Sequence, residues 1–302
     1  MIETPRMRED TGDALAAFEA ERRALFGIAY RMLGSVHEAE DALQEACIRW
    51  LAADRAAVER PAAYLVRLVT RLCIDQLRSA HARRVEYVGP WLPEPLVENA
   101  MDRLTHDPAE HQALADDLSQ AFLVLLERLN PLERAVFLLH QSFGYSYRDI
   151  AGVVGKTEEN CRQIERRARA RLEHGGRLRP VDPAAHETLL ARFLGATREG
   201  DVDGLLALLS DDVVSYSDGG GKVFAARRPV AGAAMVARFL TGLVAKAPPG
   251  LHFRIAPVNG QPGILTFVGD ALRNVITVHV EDGRIRRIFI VVNPDKLPEL
   301  TG

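Results

Sequence analysis

The segment 147–166 carries the residue spacing of a helix-turn-helix, and this spacing constrains the fold more than any other feature of the chain. Two helices that cross steeply need a small residue midway along the first, and they favour glycine at the turn, where φ is often positive. Ala151 and Gly155 occupy these two places. Apolar residues fall where the helices would face each other: Ile150, Val154, Cys161 and Ile164. The pattern predicts two crossed helices, with Cys161 as a packing residue rather than a redox switch.

The second of these helices would begin after Thr157, a good N-cap residue, and would expose side chains suited to duplex DNA. Arginine bonds guanine in a bidentate manner, and glutamine or asparagine bonds adenine, so we assign base reading to Arg162 and Gln163. The remaining candidates for DNA contact are Arg148, Lys156, Thr157, Asn160, Arg166, Arg167 and Arg169. The alternative is an ordinary helical hairpin with a solvated basic face.

The net charge of −3 argues against nucleic-acid binding until its distribution is considered. The segment 156–179 holds eight basic residues against four glutamates, whereas the segment 38–45 holds four acidic residues and no basic one. The helical part of the chain is therefore polarised into acidic and basic faces.

Length and composition indicate two or three soluble units in the 302 residues. The three cysteines form no metal-binding spacing, so we expect no metal and no cofactor. No apolar run approaches the roughly 20 residues that span a bilayer, and the N-terminus lacks a signal-peptide core. We therefore expect a reduced cytoplasmic protein that does not contact membranes.

The chain divides by composition into a helical part and a mixed part. Helical patterning from about residue 13 to 84 gives way to a proline-rich linker, resumes from 109 to 173 and breaks again at 174–183. The remainder predicts an α+β domain in which two or three helices cover one curved antiparallel sheet. The predicted helices are 185–199, 202–209 and 231–244, and the predicted strands are 213–216, 222–226, 252–258, 263–268, 272–280 and 285–292.

Two further segments of the helical part complete a pattern that resembles the extracytoplasmic-function sigma factors. The first contains Glu40-Asp41-Ala42, Gln44-Glu45 and Trp50, and the second contains Pro61, Tyr64-Leu65, Arg67, Asp75 and Leu77-Arg78. The resemblance implies two all-α domains, a sigma-2 domain over 13–85 and a sigma-4 domain with the helix-turn-helix over 109–176, joined by the linker 86–108. It implies a transcription initiation factor with core RNA polymerase and promoter DNA as its partners.

The resemblance also assigns roles to residues. The acidic helix would dock on the clamp helices of the polymerase β′ subunit through Glu40, Asp41, Gln44 and Glu45, with Trp50 as an apolar anchor; a solvated acidic face is the alternative. The sigma-4 domain would lie near the β flap and read the −35 element. The −10 element would be held and melted by Tyr64, Arg67, Arg71, Arg78, Arg83 and Arg84. Many family members have tryptophan in place of Tyr64 and asparagine in place of Arg71, and a core position is the alternative for Tyr64.

The segment 184–302 resembles the SnoaL-like domains of the nuclear-transport-factor-two superfamily, which form a conical sheet. Three motifs match a subgroup of these sigma factors that carries such a domain: Trp91-Leu92-Pro93-Glu94-Pro95, Asp218-Gly219-Gly220-Gly221-Lys222 and Asn293-Pro294-Asp295-Lys296-Leu297. The resemblance implies that this domain regulates the sigma factor in cis by contacting the linker. The glycine run fits a turn with positive φ better than an anion site.

Two other functions remain open from the sequence. A ligand-responsive helix-turn-helix regulator would bind duplex DNA without polymerase, but it leaves the acidic helix without a role. An enzyme would need an acid–base pair, and the candidates Asp218, His252, His279 and Asn293 show no telling spacing. We therefore expect no catalysis. An unidentified small ligand in the cone is a separate open question.

Overall fold

The computed structural model describes residues 5–97, 117–173 and 182–300, and the side chains of 5–11 and 80–85 lie outside that description. The described residues form two compact units. The first contains residues up to 83 and 125–173, and the second contains 84–97, 117–124 and 182–300.

The described part of the first unit is helical. Its helices start at recognisable signals: Ser35 accepts a hydrogen bond from the Glu38 amide, and Asn130 forms a capping box with Glu133. The helices are α1 (Pro5–Leu33), α2 (Val36–Ala52), α3 (Pro61–Val85), α4 (Gln120–Leu126), α5 (Pro131–Gln141), α6 (Tyr147–Val154) and α7 (Glu158–Glu173), of which α4 starts within the second unit. The helical class predicted for both segments is confirmed.

Within the described residues of the second unit, six strands form one sheet in the order β2-β1-β6-β5-β4-β3. The strands are β1 (Leu209–Asp218), β2 (Val230–Ala231), β3 (Leu251–Val258), β4 (Gln261–Val268), β5 (Ala271–Glu281) and β6 (Arg284–Val291). The helices are α8 (Pro183–Glu199), α9 (Val202–Leu208) and α10 (Ala233–Ala245). The α+β class is confirmed.

Two details of the predicted sheet are wrong. The sheet is mixed, because β1 pairs with β6 in parallel: the chain crosses through α10 to the far edge, and the meander β3–β6 ends beside β1 in the same direction. The predicted strand 222–226 is a turn and loop, closed by the Lys222 amide on the Gly219 carbonyl at 3.0 Å. Its β-branched and aromatic residues have no neighbouring strand to pair with, and Phe224 is 95% exposed.

The two faces of the sheet bury different partners. Alternate residues such as Val213, Val278 and Ile288 pack against α8, α9 and α10. On the opposite face, Phe289 and Val291 pack against Leu92 and Ala121, and a further cluster includes Val97. The linker residues 86–97 thus form part of the second hydrophobic core.

Candidate functional site

The helix-turn-helix has the local geometry that its sequence predicts. Ser146 caps α6 by accepting a hydrogen bond from the Asp149 amide, and Gly155 ends the helix at φ 68°. The Thr157 hydroxyl accepts from the Asn160 amide at 3.2 Å and so caps α7. Only glycine takes the left-handed turn without strain, so these residues fix where the first helix stops and the second starts.

The interior of the motif differs from the prediction at one position. Ile150, Cys161 and Ile164 are buried as expected, and burial raises the pKa of the Cys161 thiol, which agrees with a packing role. Val153 rather than Val154 completes the interior, because it lies three residues from Ile150 on the same helix face.

One face of α7 presents the predicted DNA-contacting side chains to solvent. Arg162, Gln163, Arg166 and Arg167 form two pairs at i,i+4 spacing and are all exposed. Arg148, Lys156, Thr157 and Asn160 are exposed as well, although the Thr157 hydroxyl is used by the helix cap. Arg169 differs, because its Nε donates to the buried Glu165 carboxylate at 2.9 Å.

The predicted polymerase-binding residues of α2 share one face, except for Trp50. Asp41 and Gln44 are exposed, Glu40 pairs with Arg22 at 2.6 Å, and Glu45 pairs with Arg49 at 2.6 Å. These pairs leave the carboxylates partly accessible at the helix surface, which keeps an acidic face on α2.

Trp50 is not an exposed anchor in this structure. It is 2% exposed, and its indole N–H donates to the Ala14 carbonyl at 2.8 Å. Its ring lies against the Tyr64 ring at an interplanar angle of 46°, with ring centroids 5.6 Å apart. Nine residues after Asp41 correspond to half a turn away on a helix, so Trp50 faces the core. The exposed apolar residue of the acidic face is Ile48, which is 56% exposed and lies seven residues from Asp41. The i+7 spacing was the signal that could have found it.

The predicted −10 residues lie along α3. Arg67, Arg71 and Arg78 are exposed and follow one stripe at i+4 and i+11, while the side chains of Arg83 and Arg84 lie outside the described residues. Arg60 continues the stripe seven residues before Arg67 and was missed from the sequence. Tyr64 is half-buried: one part packs on Trp50, and the residue lines a cleft of about 650 Å³ together with Arg60, Arg67 and Arg148.

Two arginines join the two sigma-like segments of the first unit. Arg71 donates from Nε to the Val153 carbonyl at the end of α6, at 3.0 Å. Arg134, which is 3% exposed, donates to the Met32 carbonyl near the end of α1 at 2.6 Å and to Glu127 at 2.9 Å. A residue predicted to bind the −10 element therefore contacts the helix-turn-helix here.

The three motifs assigned to regulation converge on one buried carboxylate in the second unit. Asp218, at the end of β1, is fully buried and accepts hydrogen bonds from the Tyr87 hydroxyl at 2.5 Å and the Leu92 amide at 2.8 Å. The Lys296 ammonium lies 2.8 Å from the same carboxylate and donates to the Leu92 carbonyl at 2.6 Å. Burial and the hydrogen bond to Asp218 raise the pKa of the Tyr87 hydroxyl, so it remains a donor.

Further contacts hold the linker on either side of this carboxylate. The Lys296 ammonium lies 4.2 Å from the centre of the Trp91 ring, Asn293 donates to the Tyr87 hydroxyl at 3.0 Å, and Gln120 donates to the Pro93 carbonyl at 2.7 Å. Lys222 and Asp295, which belong to the two C-terminal motifs and not to the linker, pair with each other at the surface. Pro93 and Pro95 are buried, Glu94 is half-buried, and Pro294 starts a short 3₁₀ turn. Tyr87 and Gln120 were missed, because neither belongs to a motif.

The glycine run forms a turn, which agrees with the preferred sequence interpretation. Gly220 and Gly221 have φ of 59° and 73°, and the Gly220 amide donates to Asp218 at 3.0 Å. A Cβ on Gly220 would lie 2.4 Å from Asn293 Nδ2, and one on Gly219 would lie 2.7 Å from the Ala225 Cβ. Steric room, and not an anion, explains why the turn needs glycine.

The residues considered for catalysis do not form an acid–base pair. Asp218 and Asn293 bind the linker, His252 is exposed, and burial together with the Arg287 charge lowers the pKa of His279 to about 4. Across residues 5–97, 117–173 and 182–300, no cluster of three or more histidine, cysteine, aspartate or glutamate side chains is arranged to hold a metal. Over the same residues, no helix is both long and apolar enough to cross a membrane.

Three protein families match successive segments of the chain. They are Sigma-70 region 2 over residues 17–83, Sigma-70 region 4 over 119–172 and the SnoaL-like domain over 190–288. The order of the segments is the order that the sequence motifs predict.

Two relatives that match over more than nine tenths of their length are described as ECF RNA polymerase sigma factors. The ECF RNA polymerase sigma factor SigJ of Mycobacterium tuberculosis is 38% identical over 293 residues, covering 93% of this chain and 92% of that protein. The probable ECF RNA polymerase sigma factor SigI of the same organism is 33% identical over 287 residues, covering 94% and 95%. The crystal structure of the extracytoplasmic function sigma factor SigJ has a TM-score of 0.75 at 34% identity, covering 93% of this chain and 97% of that chain.

Proposed function

The chain belongs to the extracytoplasmic-function RNA polymerase sigma factors, and on this premise we propose which surfaces it uses to start transcription and how its C-terminal domain controls them. The acidic face of α2, with Asp41, Gln44 and Ile48, binds the clamp helices of the β′ subunit. The sigma-4 domain docks near the β flap, in the cytoplasm where core polymerase acts. The observation that carries the promoter assignment is the exposed face of α7 with Arg162, Gln163, Arg166 and Arg167.

The −10 element is assigned to the arginine stripe of α3 and the adjoining cleft. Arg60, Arg67 and Arg78 provide charge for phosphates, and Tyr64 gives an aromatic surface for an unstacked base.

Run-off transcription on genomic fragments with core polymerase tests whether the chain directs transcription from promoters. The full-length chain should yield discrete transcripts, and Arg166→Ala should weaken them across sequences. No transcript from the unmodified chain contradicts the assignment, whereas specific duplex binding without polymerase would favour the ligand-responsive regulator.

The first unit must open before it binds both promoter elements. Elements centred 25 base pairs apart are separated by about 85 Å along B-DNA. In contrast, Arg71 lies 3.0 Å from the Val153 carbonyl of the helix-turn-helix. Spin labels placed at Asp75 and Glu159 should therefore move apart by tens of ångströms when core polymerase and promoter are added. An unchanged distance distribution in an active complex would contradict this opening.

The C-terminal domain regulates this opening by shortening the tether between the two DNA-reading segments. An extended chain from Val85 to Gln120 reaches about 120 Å. Phe289 and Val291 of the C-terminal sheet pack against both Leu92 and Ala121. Together with the hydrogen bond from Gln120 to the Pro93 carbonyl, this packing reduces the path to the eight residues from Val85 to Pro93, about 30 Å. We therefore assign an inhibitory role to the linker clamp, defined as Asp218 and Lys296 with the linker residues Tyr87 and Leu92.

A matched pair of substitutions tests the clamp in the full-length chain. Asp218→Asn removes the buried charge that holds the linker, whereas Asp295→Asn makes the same chemical change in an exposed ion pair. Asp218→Asn should raise run-off transcription and Asp295→Asn should leave it near the wild-type level. Equal activity of all three proteins would contradict regulation in cis, and reduced activity of Asp218→Asn would contradict its inhibitory direction. We propose no catalytic step for this domain, since Asp218 and Asn293, two of the four residues considered for catalysis, bind the linker.

A further inference from the structure

Tyr147, the first residue of α6, connects the interior of the helix-turn-helix to its DNA-reading face. Its hydroxyl donates a hydrogen bond to the Glu165 carboxylate. Its ring stacks on His140 with centroids 4.3 Å apart and an interplanar angle of 16°. The guanidinium carbon of Arg162 lies over the same ring, 5.1 Å from its centre. Tyr147 is thus in contact with the arginine assigned to base reading.

Glu165 holds Tyr147 from the buried side of α7. It is 2% exposed, and it accepts hydrogen bonds from Gln141 at 2.6 Å and from Arg169 at 2.9 Å in addition to Tyr147. Burial acts to raise the pKa of its carboxyl, but the hydrogen bonds from Tyr147 and Arg169 prevail and lower it. Glu165 is therefore a charged acceptor at neutral pH, and hydrogen bonds to charged groups are the strong ones.

Arg162 is restricted before it meets DNA. Its side chain is 56% exposed, and besides the Tyr147 ring it contacts Glu158 at 3.2 Å. A free arginine loses rotamer entropy when it orders on a base, so a side chain that is already restricted gives up less of it on binding. The contact with the ring and the ion pair with Glu158 also limit the orientations of the guanidinium, and bidentate guanine recognition depends on that orientation.

We infer that Tyr147, held by Glu165, is a positioning residue that sets Arg162 for reading one base pair of the −35 element. This inference rests on the proposed function. It separates α7 into a base-reading part set by Tyr147 and a phosphate-binding part at Arg166 and Arg167, and it makes Tyr147 and Glu165 determinants of promoter selectivity.

A template library randomised over the −35 hexamer, transcribed by core polymerase with the full-length chain, tests the inference. Arg162→Ala should lose the preference at a single base pair, by about 5- to 150-fold. Tyr147→Leu should reduce the preference at that same base pair, and Tyr147→Phe, which keeps the ring, should reduce it less. Adding Tyr147→Leu to Arg162→Ala should have no further effect at that position, because the pair acts as one unit.

The remaining outcomes separate a purely structural role of Tyr147 from a role in positioning Arg162. An even loss across all library positions with Tyr147→Leu, or an additive effect in the double variant, would mean that Tyr147 only supports the fold and would overturn the inference. Arg167→Ala is the control for an even loss, as expected of a phosphate contact. If Tyr147→Leu does not fold, Glu165→Gln replaces it with the same expected selectivity change. Unchanged selectivity of Arg162→Ala in an active complex overturns the inference alone, whereas no transcript from the wild type overturns the proposed function.

Discussion

Replacing Asp218 with asparagine should release the linker, and the amide of Leu92 reports this release directly. The Asp218 carboxylate accepts one hydrogen bond from the Leu92 amide and one from the Tyr87 hydroxyl, both from the linker. A hydrogen bond to a charged group contributes about 1.5–3 kcal/mol. Asparagine keeps one acceptor and loses the charge that faces Lys296. We therefore expect the free energy of linker opening to fall by about 2–3 kcal/mol.

Hydrogen exchange measures this free energy at the Leu92 amide in the full-length chain. A decrease of about 2–3 kcal/mol corresponds to exchange that is about 30- to 150-fold faster. Asp295→Asn serves as the control, because exposed ion pairs such as Lys222–Asp295 contribute about 0–1 kcal/mol, so exchange should change by less than about 5-fold. The amides of β4 and β5 verify that the sheet stays folded. Equal exchange at Leu92 in both variants would refute the central role of the Asp218 carboxylate.

Three further predictions test separate parts of the structure. Ile48→Asp should weaken the binding of core polymerase in a pull-down titration while changing the melting temperature little. Trp50→Ala should instead destabilise the first unit by about 3–5 kcal/mol in denaturant unfolding. The reverse pattern would indicate that Trp50, and not Ile48, contacts the polymerase. Gly220→Ala should accelerate Leu92 amide exchange because its Cβ would meet Asn293, and Gly269→Ala, at nearly the same φ with no neighbour within 4 Å, should not. His279 has a pKa of about 4 in the folded chain, whereas a histidine in the unfolded chain is protonated below about pH 6.5. The second unit should therefore lose stability as the pH falls from about 6.5 to about 4. The loss should be at most about 3 kcal/mol, and smaller to the extent that water reaches the ring. His279→Gln should flatten that dependence in thermal unfolding, and an unchanged pH profile would contradict the neutral state of the half-buried His279.

Local signals in the sequence were sufficient to locate the turn and the helix starts of the helix-turn-helix. Ala151, Gly155 and Thr157 act within a few residues of each other, so their spacing determines the turn and the start of α7. Trp50 faces the core because the angle around the helix, and not the distance along the chain, decides on which face a residue lies. The same angle places Ile48 on the acidic face of α2.

Contacts between distant residues could not be predicted from spacing. The pairing of β1 with β6 joins strands about 75 residues apart, and the turn at 222–226 has strand-forming residues without a partner strand. The motifs in the linker and the C-terminal domain were visible, but nothing local shows that Asp218 is their common acceptor or that Tyr87 and Gln120 take part. A buried carboxylate needs several donors, and these come from segments up to 131 residues away.

Changing the spacing between the two promoter elements tests most directly whether one chain, held by core polymerase, reads both of them. Run-off transcription would compare the native promoter with one that carries five extra base pairs between the −35 and −10 elements. Five base pairs rotate one element by about half a helical turn and move it about 17 Å. We predict that the wild-type chain loses most of its transcript on the altered template and regains part of it with ten extra base pairs. Equal transcription from all three templates would contradict the two-part reading of the promoter.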